Sequence, residues 1–274
     1  MLIDSHLHFS KNIIFDMPIE DLIELIDKYH VNYAIVSNAN GIELDHQQNL
    51  IPKEYQTSQI QVLQESIDLA KKYPNKIGIA PWIKPYTETC TEEYIALFEE
   101  NIQYIKAIKL HSYHSNTAIT DEKMIPYIRL AKKHRLPFII HTGGCEKARC
   151  IHVAKAAIEN PDINFVMVHL DLGSDHKEAL ECLKMAPNLY GDTTWVPINI
   201  TLEVIKRYGS HKIMFGSDGP VDGVDTYIKN KFQEPSMYQD YWQKLPDLIS
   251  QTDYDNIMYK NAIKIFDLGG ISNE

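Results

Sequence analysis

Residues 2–8 read Leu-Ile-Asp-Ser-His-Leu-His, an apolar stretch that ends in two histidines separated by one residue. Side chains alternate along a β-strand, so Asp4, His6 and His8 are expected to share one face and the residues between them the other. Two imidazoles on one strand can reach a single ion, and neutral imidazole binds zinc at about 2.0–2.1 Å. The stretch therefore predicts a first strand with part of a metal site at its carboxyl end.

Short apolar runs and longer helical patterns alternate along the rest of the chain. Runs of apolar residues predict strands, and the i, i+3, i+4 spacing predicts helices. The predicted strands are 2–8, 32–37, 77–82, 105–111, 137–141, 163–169, 188–193 and 212–217. The predicted helices are 18–30, 57–73, 91–103, 121–134, 146–159, 175–186, 201–208 and 254–267.

Eight strands that are each followed by a helix require parallel pairing through crossovers. Eight such units close into a (β/α)8 barrel, and a chain of 274 residues fits one barrel as a single domain, 1–274. An open doubly wound sheet is the alternative. The Gly-rich turn that usually follows its first strand is absent, and His-Leu-His stands there instead.

Two long segments, 38–56 and 219–253, follow the second and eighth predicted strands. Loops at the carboxyl ends of barrel strands face the active site, so either segment could cover the substrate. Residues 219–253 carry five large aromatic residues, with helical spacing near the end of the segment. An inserted packing helix or an oligomer contact is an equally good interpretation of that pattern.

Three other predicted strands also end in side chains that can bind a metal. His141 follows Phe-Ile-Ile, His169 follows Phe-Val-Met-Val, and Asp218 follows Ile-Met-Phe-Gly-Ser. Burying an unpaired histidine or aspartate is costly, so apolar strands seldom end this way. Four strands with such ends favour a shared metal site over separate core histidines.

These segments resemble the amidohydrolase superfamily, in particular its amidohydrolase-related (type 2) branch of small metal-dependent barrel enzymes. The resemblance spans nearly the whole chain and is more specific for the superfamily than for any one reaction. The matching segments, in family order, are Asp4-Ser5-His6-Leu7-His8, Ile108-Lys109-Leu110-His111, His141-Thr142-Gly143-Gly144, His169-Leu170, Gly216-Ser217-Asp218-Gly219-Pro220 and Asn261-Ala262-Ile263-Lys264-Ile265-Phe266.

The resemblance implies that His6, His8 and His141 are metal ligands and that Asp218 is the carboxylate on a divalent ion, expected to be zinc. His169 would be a ligand of a second ion or a polarising group beside the substrate. Asp218 would also accept a proton from metal-bound water. A divalent ion lowers the pKa of bound water toward about 7 and polarises a carbonyl, and a nearby carboxylate can act as general base.

The fourth predicted strand leaves several possibilities open. Lys109 and His111 are two residues apart and so share a face. Some superfamily members use a carboxylated lysine here to bridge two metals. Otherwise Lys109 is a catalytic group or the partner of an inward-facing acid, and Lys109 or His111 binds a substrate anion. One metal ion is the preferred interpretation.

Four further residues have expected positions around the site. Lys84 and Trp195 follow the third and seventh predicted strands and are candidate substrate-binding residues, although Trp195 would equally well cover the core. Asp4 is expected to orient a histidine ligand. His114 lies in the loop after the fourth strand and is expected to be solvated.

Composition and charge limit the classes of partner that the protein can be expected to bind. The formal net charge of −10 argues against a general nucleic-acid surface, which needs a basic patch. The four cysteines have no disulfide pattern, and no signal peptide precedes the first strand. No apolar run approaches the ~18 residues that span a membrane. We expect a cytoplasmic enzyme with a small-molecule substrate and no membrane or nucleic-acid partner, and a homodimer as the commonest assembly.

Hydrolysis of an amide, lactone or ester carbonyl by metal-activated water is the expected reaction. The alternative is metal-dependent non-oxidative decarboxylation of a small carboxylic acid, because the same branch contains such lyases, although their chains tend to be longer. A barrel nuclease is disfavoured because its acidic strand-four and strand-eight patterns are replaced by Lys-Leu-His and Gly-Ser-Asp. An intact ligand set argues against a barrel without enzymatic activity.

Overall fold

The computed structural model describes residues 1–270, and residues 271–274 of the predicted domain lie outside the described part. All eight predicted strands are confirmed within it, and a short hairpin strand, β2, is added. The strands are β1 (Ile3–Lys11), β2 (Asp16–Met17), β3 (Tyr33–Asn38), β4 (Ile77–Ile79), β5 (Ile108–Leu110), β6 (Phe138–Gly143), β7 (Phe165–Leu172), β8 (Leu189–Asp192) and β9 (Ile213–Met214).

The strands form two hydrogen-bonded sheets, ordered β2-β1-β3-β4 and β5-β6-β7-β8-β9. The pairs are parallel except β1 with β2. β4 is shorter than its prediction of 77–82. Pro81 follows it and has no N–H to donate to a ladder.

Backbone hydrogen bonds join the two sheets along two seams, which closes the barrel. At the first seam Ser5 N donates to Phe215 O, His8 N to Gly219 O and Asp218 N to His6 O. At the second seam, parallel bridges pair Ile79 with Ile105 and Trp82 with Lys109. The open-sheet alternative is therefore excluded.

A bulge in β1 reverses the predicted alternation of its side chains. Ile3 pairs with Tyr33 but Leu7 pairs with Val36, so β1 holds one extra residue between the two pairs. As a result Ile3 packs in the cluster that contains the inward-facing Ile139. The prediction that Asp4 shares a face with His8 is wrong, because the bulge lies between them.

Helices cover the outside of the barrel close to their predicted positions. None of the helices in residues 1–270 is long and apolar enough to span a membrane. They are α1 (Ile19–Lys28), α2 (Gln59–Lys72), α3 (Glu92–Glu100), α4 (Ser112–Ser115), α5 (Ile125–His134), α6 (Cys150–Glu159), α7 (Lys177–Leu183), α8 (Ile198–Tyr208), α9 (Gln239–Gln243), α10 (Leu245–Leu248), α11 (Gln251–Asp255) and α12 (Asn261–Ile265), the last two joined by a π-helical turn, Asn256–Lys260.

The inserted segment 219–253 packs on Phe215, the residue directly after β9. Its helical pattern is confirmed as α9 and α10. Tyr227, Tyr238 and Tyr241 are buried, with ring centres 5.8–6.1 Å from that of Phe215. These side chains therefore anchor the insertion, whereas Phe232 at its tip is 72% exposed.

Candidate metal centre

His6, His8 and Asp218 bring three ligand atoms together at the carboxyl end of the barrel. Nε2 of His8 lies 2.9 Å from Nε2 of His6 and 3.0 Å from Oδ1 of Asp218. The remaining separation, from His6 Nε2 to Asp218 Oδ1, is 3.4 Å. Ligand atoms on a tetrahedral ion with bonds near 2.05 Å are about 3.3 Å apart, so the three separations suit a metal ion.

In each of these histidines, the hydrogen bond at Nδ1 decides whether Nε2, the nitrogen that faces the centre, has a proton. Nδ1 of His8 lies 3.1 Å from Ser37 O, which can only accept. Nδ1 of His6 lies 3.2 Å from Asp192 Oδ2. A neutral ring that donates from Nδ1 has a lone pair on Nε2. Two imidazole lone pairs and a carboxylate oxygen therefore converge with no proton of their own between them, and a cation there removes their repulsion. The residues present fit a divalent metal.

His169 and His141 form the next layer. The ring centre of His169 lies 5.6 Å from that of His6 and 4.7 Å from that of His141. Nδ1 of His169 lies 3.2 Å from Thr194 O, so its Nε2 also has the lone pair. Nδ1 of His141 is buried without a hydrogen-bond partner among the described residues, which leaves it available to a ligand. His141 as a metal ligand stays a prediction, because it lies outside the close group of three.

The backbone at His169 adopts a conformation that side chains rarely favour. His169, Leu170 and Asp171 have φ of 68°, 47° and 76°. Asp192 Oδ1 accepts from the N–H of His169 at 3.0 Å, and Thr142 Oγ1 accepts from that of Asp171 at 2.9 Å. Neighbouring strands thus hold a strained turn that displaces His169 from the regular pleat.

Asp192 lies beside the candidate site and was not predicted from the sequence. Its carboxylate is fully buried and accepts from Nδ1 of His6 and from Oγ1 of Thr194, at 3.2 and 2.8 Å. A Cβ at Gly216 would lie 3.1 Å from Asp192 Oδ2 and 2.8 Å from Thr194 Oγ1, so only glycine leaves them room. A signal was present, because β8 also ends in a carboxylate before turn residues.

Lys109 crosses the barrel to the same centre. It is buried, and its Nζ lies 2.7 Å from Nε2 of His6. An ammonium and a metal ion therefore compete for one lone pair. Burial lowers the pKa of Lys109 to about 8, although the negative charges of Asp218 and Asp192 act to raise it. Burial likewise lowers the pKa of His169 to about 4.

His111 lies between two flat rings, 4.8 Å from that of Trp82 and 3.9 Å from that of His141. Its Nδ1 accepts from the N–H of His114 at 3.3 Å, so in the neutral ring Nε2 has the proton. This tautomer is the opposite of the one in His6 and His8. His111 is thus a hydrogen-bond donor rather than a ligand through Nε2.

Asp218 uses its two oxygens differently. Oδ1 faces His6 and His8, while Oδ2 accepts from the indole N–H of Trp195 at 3.0 Å. The N–H of Trp195 favours the ionised form of Asp218, which is the form that binds a cation.

Three expected placements need correction. The buried ammonium of Lys84 donates to Thr57 O at 2.6 Å and pairs with Glu88 at 3.1 Å, so it is not free to clamp a substrate. Asp4 accepts from Tyr227 OH at 2.7 Å and contacts His6 only through the backbone N–H. His114 is buried rather than solvated, with Nδ1 2.7 Å from Leu44 O.

Comparisons with known proteins give the family. A family model described as "Amidohydrolase" matches residues 3–268. The chain belongs to the amidohydrolase family. This is a family of metal-dependent enzymes, which confirms the resemblance drawn from the motifs. No curated protein sequence matches the chain.

Solved structures with this fold include an uncharacterized TIM-barrel protein from Bordetella bronchiseptica, with a TM-score of 0.67 at 15% identity over 97% of this chain and 98% of that one. The 5-carboxyvanillate decarboxylase from Novosphingobium aromaticivorans, solved with manganese, has a TM-score of 0.70 at 12% identity over 97% of both chains. The 2,6-dihydroxybenzoate decarboxylase from Rhizobium has a TM-score of 0.66 at 14% identity over 98% of this chain and 100% of that one. At these identities the likeness establishes the barrel fold. Both decarboxylases align nearly end to end with this chain, so the expectation that such enzymes have longer chains is wrong for these two.

Proposed function

We propose that this amidohydrolase-family protein is a divalent-metal-dependent, non-oxidative decarboxylase of a small carboxylic acid. This reverses the order expected from the sequence, where hydrolysis came first. Decarboxylases among the solved structures of the same fold support the change. Their substrates are their own, and the proposal for this chain extends only to a small acid.

The observation that carries the proposal is the set of proton donors and acceptors formed by Asp218, Lys109 and His111. Hydrolysis needs a base to take a proton from water, but the indole N–H of Trp195 stabilises Asp218 as a weakly basic carboxylate. Decarboxylation needs a cation that binds the acid and a proton donor for carbon. The ammonium of Lys109 meets both needs, and the Nε2–H of His111 is a hydrogen-bond donor for the substrate.

His6, His8 and Asp218 would hold the ion, together with His141 or His169. When bound, a divalent ion supplies a Lewis acid that binds and orients substrate oxygens. With His6 on the ion, the Lys109 ammonium would no longer share that lone pair and would be free to attract the substrate carboxylate. The bond between the carboxyl carbon and its neighbour breaks, the electron pair stays on that neighbour, and a proton from the Lys109 ammonium forms the new C–H bond. Carbon dioxide leaves, and solvent restores the proton.

The metal is proposed to be manganese or zinc. Imidazole and carboxylate ligands suit both ions. Zinc was expected from the sequence, whereas the Novosphingobium aromaticivorans decarboxylase was solved with manganese. Elemental analysis of the purified protein, followed by reloading with each ion separately, distinguishes them.

Hydrolysis remains the second candidate, because His6, His8 and Asp218 are equally able to hold an ion that activates water. The test gives protein loaded with manganese or with zinc two panels of compounds. One panel holds hydroxybenzoic and aliphatic acids, and the other holds lactones, esters and amides. With an acid labelled at its carboxyl carbon, we expect release of labelled carbon dioxide. In D₂O we expect one deuterium on the product carbon that carried the carboxyl group. Turnover confined to the second panel, with net addition of water, would refute the decarboxylase proposal.

A further inference from the structure

Trp195 binds one carboxylate oxygen of Asp218 and leaves the other oxygen facing the histidines. Its indole N–H donates to Oδ2 at 3.0 Å, and Oδ1 lies 3.0 Å from Nε2 of His8. Indole nitrogen can donate but not accept, so this bond favours the ionised carboxylate in one orientation. With Oδ2 held, Asp218 presents a single oxygen to the other ligand atoms.

We propose that Trp195 is a positioning residue of the metal centre, which sets the orientation of Asp218 and so the affinity for the ion. This differs from the two roles expected from the sequence, a wall of the substrate pocket or a cover of the core. Neither of those roles requires the indole N–H. The inference concerns metal binding and does not depend on which reaction the protein catalyses.

Trp195 is itself fixed by the inserted segment. Its backbone is left-handed, with φ of 56°, and its N–H donates to the hydroxyl of Tyr238 at 3.0 Å. That buried hydroxyl donates in turn to Ser217 O at 2.8 Å, one residue before Asp218. One phenol group thus links Trp195 to the strand end that holds the carboxylate. The insertion therefore acts on the metal centre through Tyr238.

The test compares metal affinity in Trp195→Phe, which keeps an aromatic ring but removes the N–H, with that in Trp242→Phe. Trp242 lies in the insertion, packs on Phe215 and has no hydrogen bond to the centre. Affinity for Mn²⁺ and Zn²⁺ is measured by competition with a chromogenic chelator, and thermal melts of the metal-free proteins check folding. Loss of such a supporting hydrogen bond typically weakens metal binding by about 10–100-fold. We expect that loss in Trp195→Phe, an intermediate loss in Tyr238→Phe and none in Trp242→Phe. Wild-type affinity in Trp195→Phe would overturn the proposal.

A second measurement uses the unaltered protein in case Trp195→Phe fails to fold. The indole N–H signals of Trp82, Trp195 and Trp242 are followed by NMR during titration with Zn²⁺ and assigned through Trp82→Phe and Trp242→Phe. The Trp195 signal is expected to move in proportion to zinc bound, because its acceptor becomes a metal ligand, and the Trp242 signal is expected to stay in place. A Trp195 signal that does not move at saturation would overturn the proposal without any enzymatic assay.

Discussion

Asp192 links two predicted metal-binding histidines through separate oxygens. Oδ2 lies 3.2 Å from the ring nitrogen of His6, and Oδ1 accepts from the backbone N–H of His169. A carboxylate behind a ligating imidazole fixes its tautomer and raises its basicity. The position of the centre therefore depends on a residue that does not belong to the group of three.

Asp192→Asn is expected to weaken metal binding by about 10–100-fold, because a neutral amide supports the Nδ1–H of His6 less well than a carboxylate. The measurement is chelator competition on the folded, metal-free protein. Asp247→Asn, at an exposed position on α10, is the matched control. Equal affinity in Asp192→Asn and wild type would contradict this role.

Lys109→Met separates the possibilities for this lysine. If the ammonium competes with the ion for His6, its removal should tighten metal binding while it lowers turnover of a carboxylate substrate. If Lys109 is instead a carboxylated ligand, the variant should bind fewer ions than wild type. Metal stoichiometry and affinity, measured on the same samples, give opposite results for the two possibilities.

At this scale the sequence was informative wherever a side chain ends an apolar strand. His6, His8 and Asp218 meet as expected. The orientation of Asp4 was wrong because a bulge has no clear sequence signature here. Lys84 contacts Thr57 and Glu88, which lie outside the strand pattern. The contacts of Lys84 could therefore not be predicted.

Among the elements, the insertion is held by aromatic packing on Phe215. Phe215→Ala is expected to cost about 3–5 kcal/mol, because it leaves a cavity beneath three buried tyrosines. Phe232→Ala, at the exposed tip of the same segment, should change stability by no more than about 0.5 kcal/mol. Chemical denaturation measures both, and equal effects would contradict the anchoring.

Segment 38–56 contains a buried carboxyl that responds to pH. Burial raises the pKa of Glu43 to about 7, although the side chain and N–H of Thr87 donate to it. A carboxyl with a raised native pKa contributes stability that is complete below about pH 4.5 and is lost as pH rises through about 7.

Glu43→Gln should remove that pH dependence. The substituted amide would keep one acceptor oxygen for Thr87 and would not ionise. We expect the stability of the variant relative to wild type to rise between pH 4.5 and 8 by an amount on the order of 2–3 kcal/mol. A difference in unfolding free energy that stays constant over this range would show that Glu43 ionises without cost.

The whole molecule is a closed barrel whose strand order followed from the count and spacing of apolar runs. The sequence could not show how the two sheets join, because backbone hydrogen bonds at the seams leave no residue signature. It also could not separate a lid from a packing segment in 219–253, since either use favours aromatic side chains.

Metal removal tests the centre as part of the whole fold. A ligand that binds only the native state at 100 times its Kd stabilises that state by about 2.7 kcal/mol. For a chain of this size we expect chelation to lower Tm by roughly 5–10 °C. His8→Ala should melt at the same temperature with and without chelator, and a chelator effect of wild-type size in that variant would place the ion elsewhere.

The seam between β1 and the segment after β9 runs through the metal centre. His8 and Asp218, two of the proposed metal ligands, also supply backbone amides that close the barrel there. An ion held by both would clamp the two edges together, so opening of the seam would first require release of the ion. Amide hydrogen exchange at His8 and Asp218 should therefore slow on metal binding more than exchange at the second seam, and the barrel's closing hydrogen bonds would report occupancy of the centre.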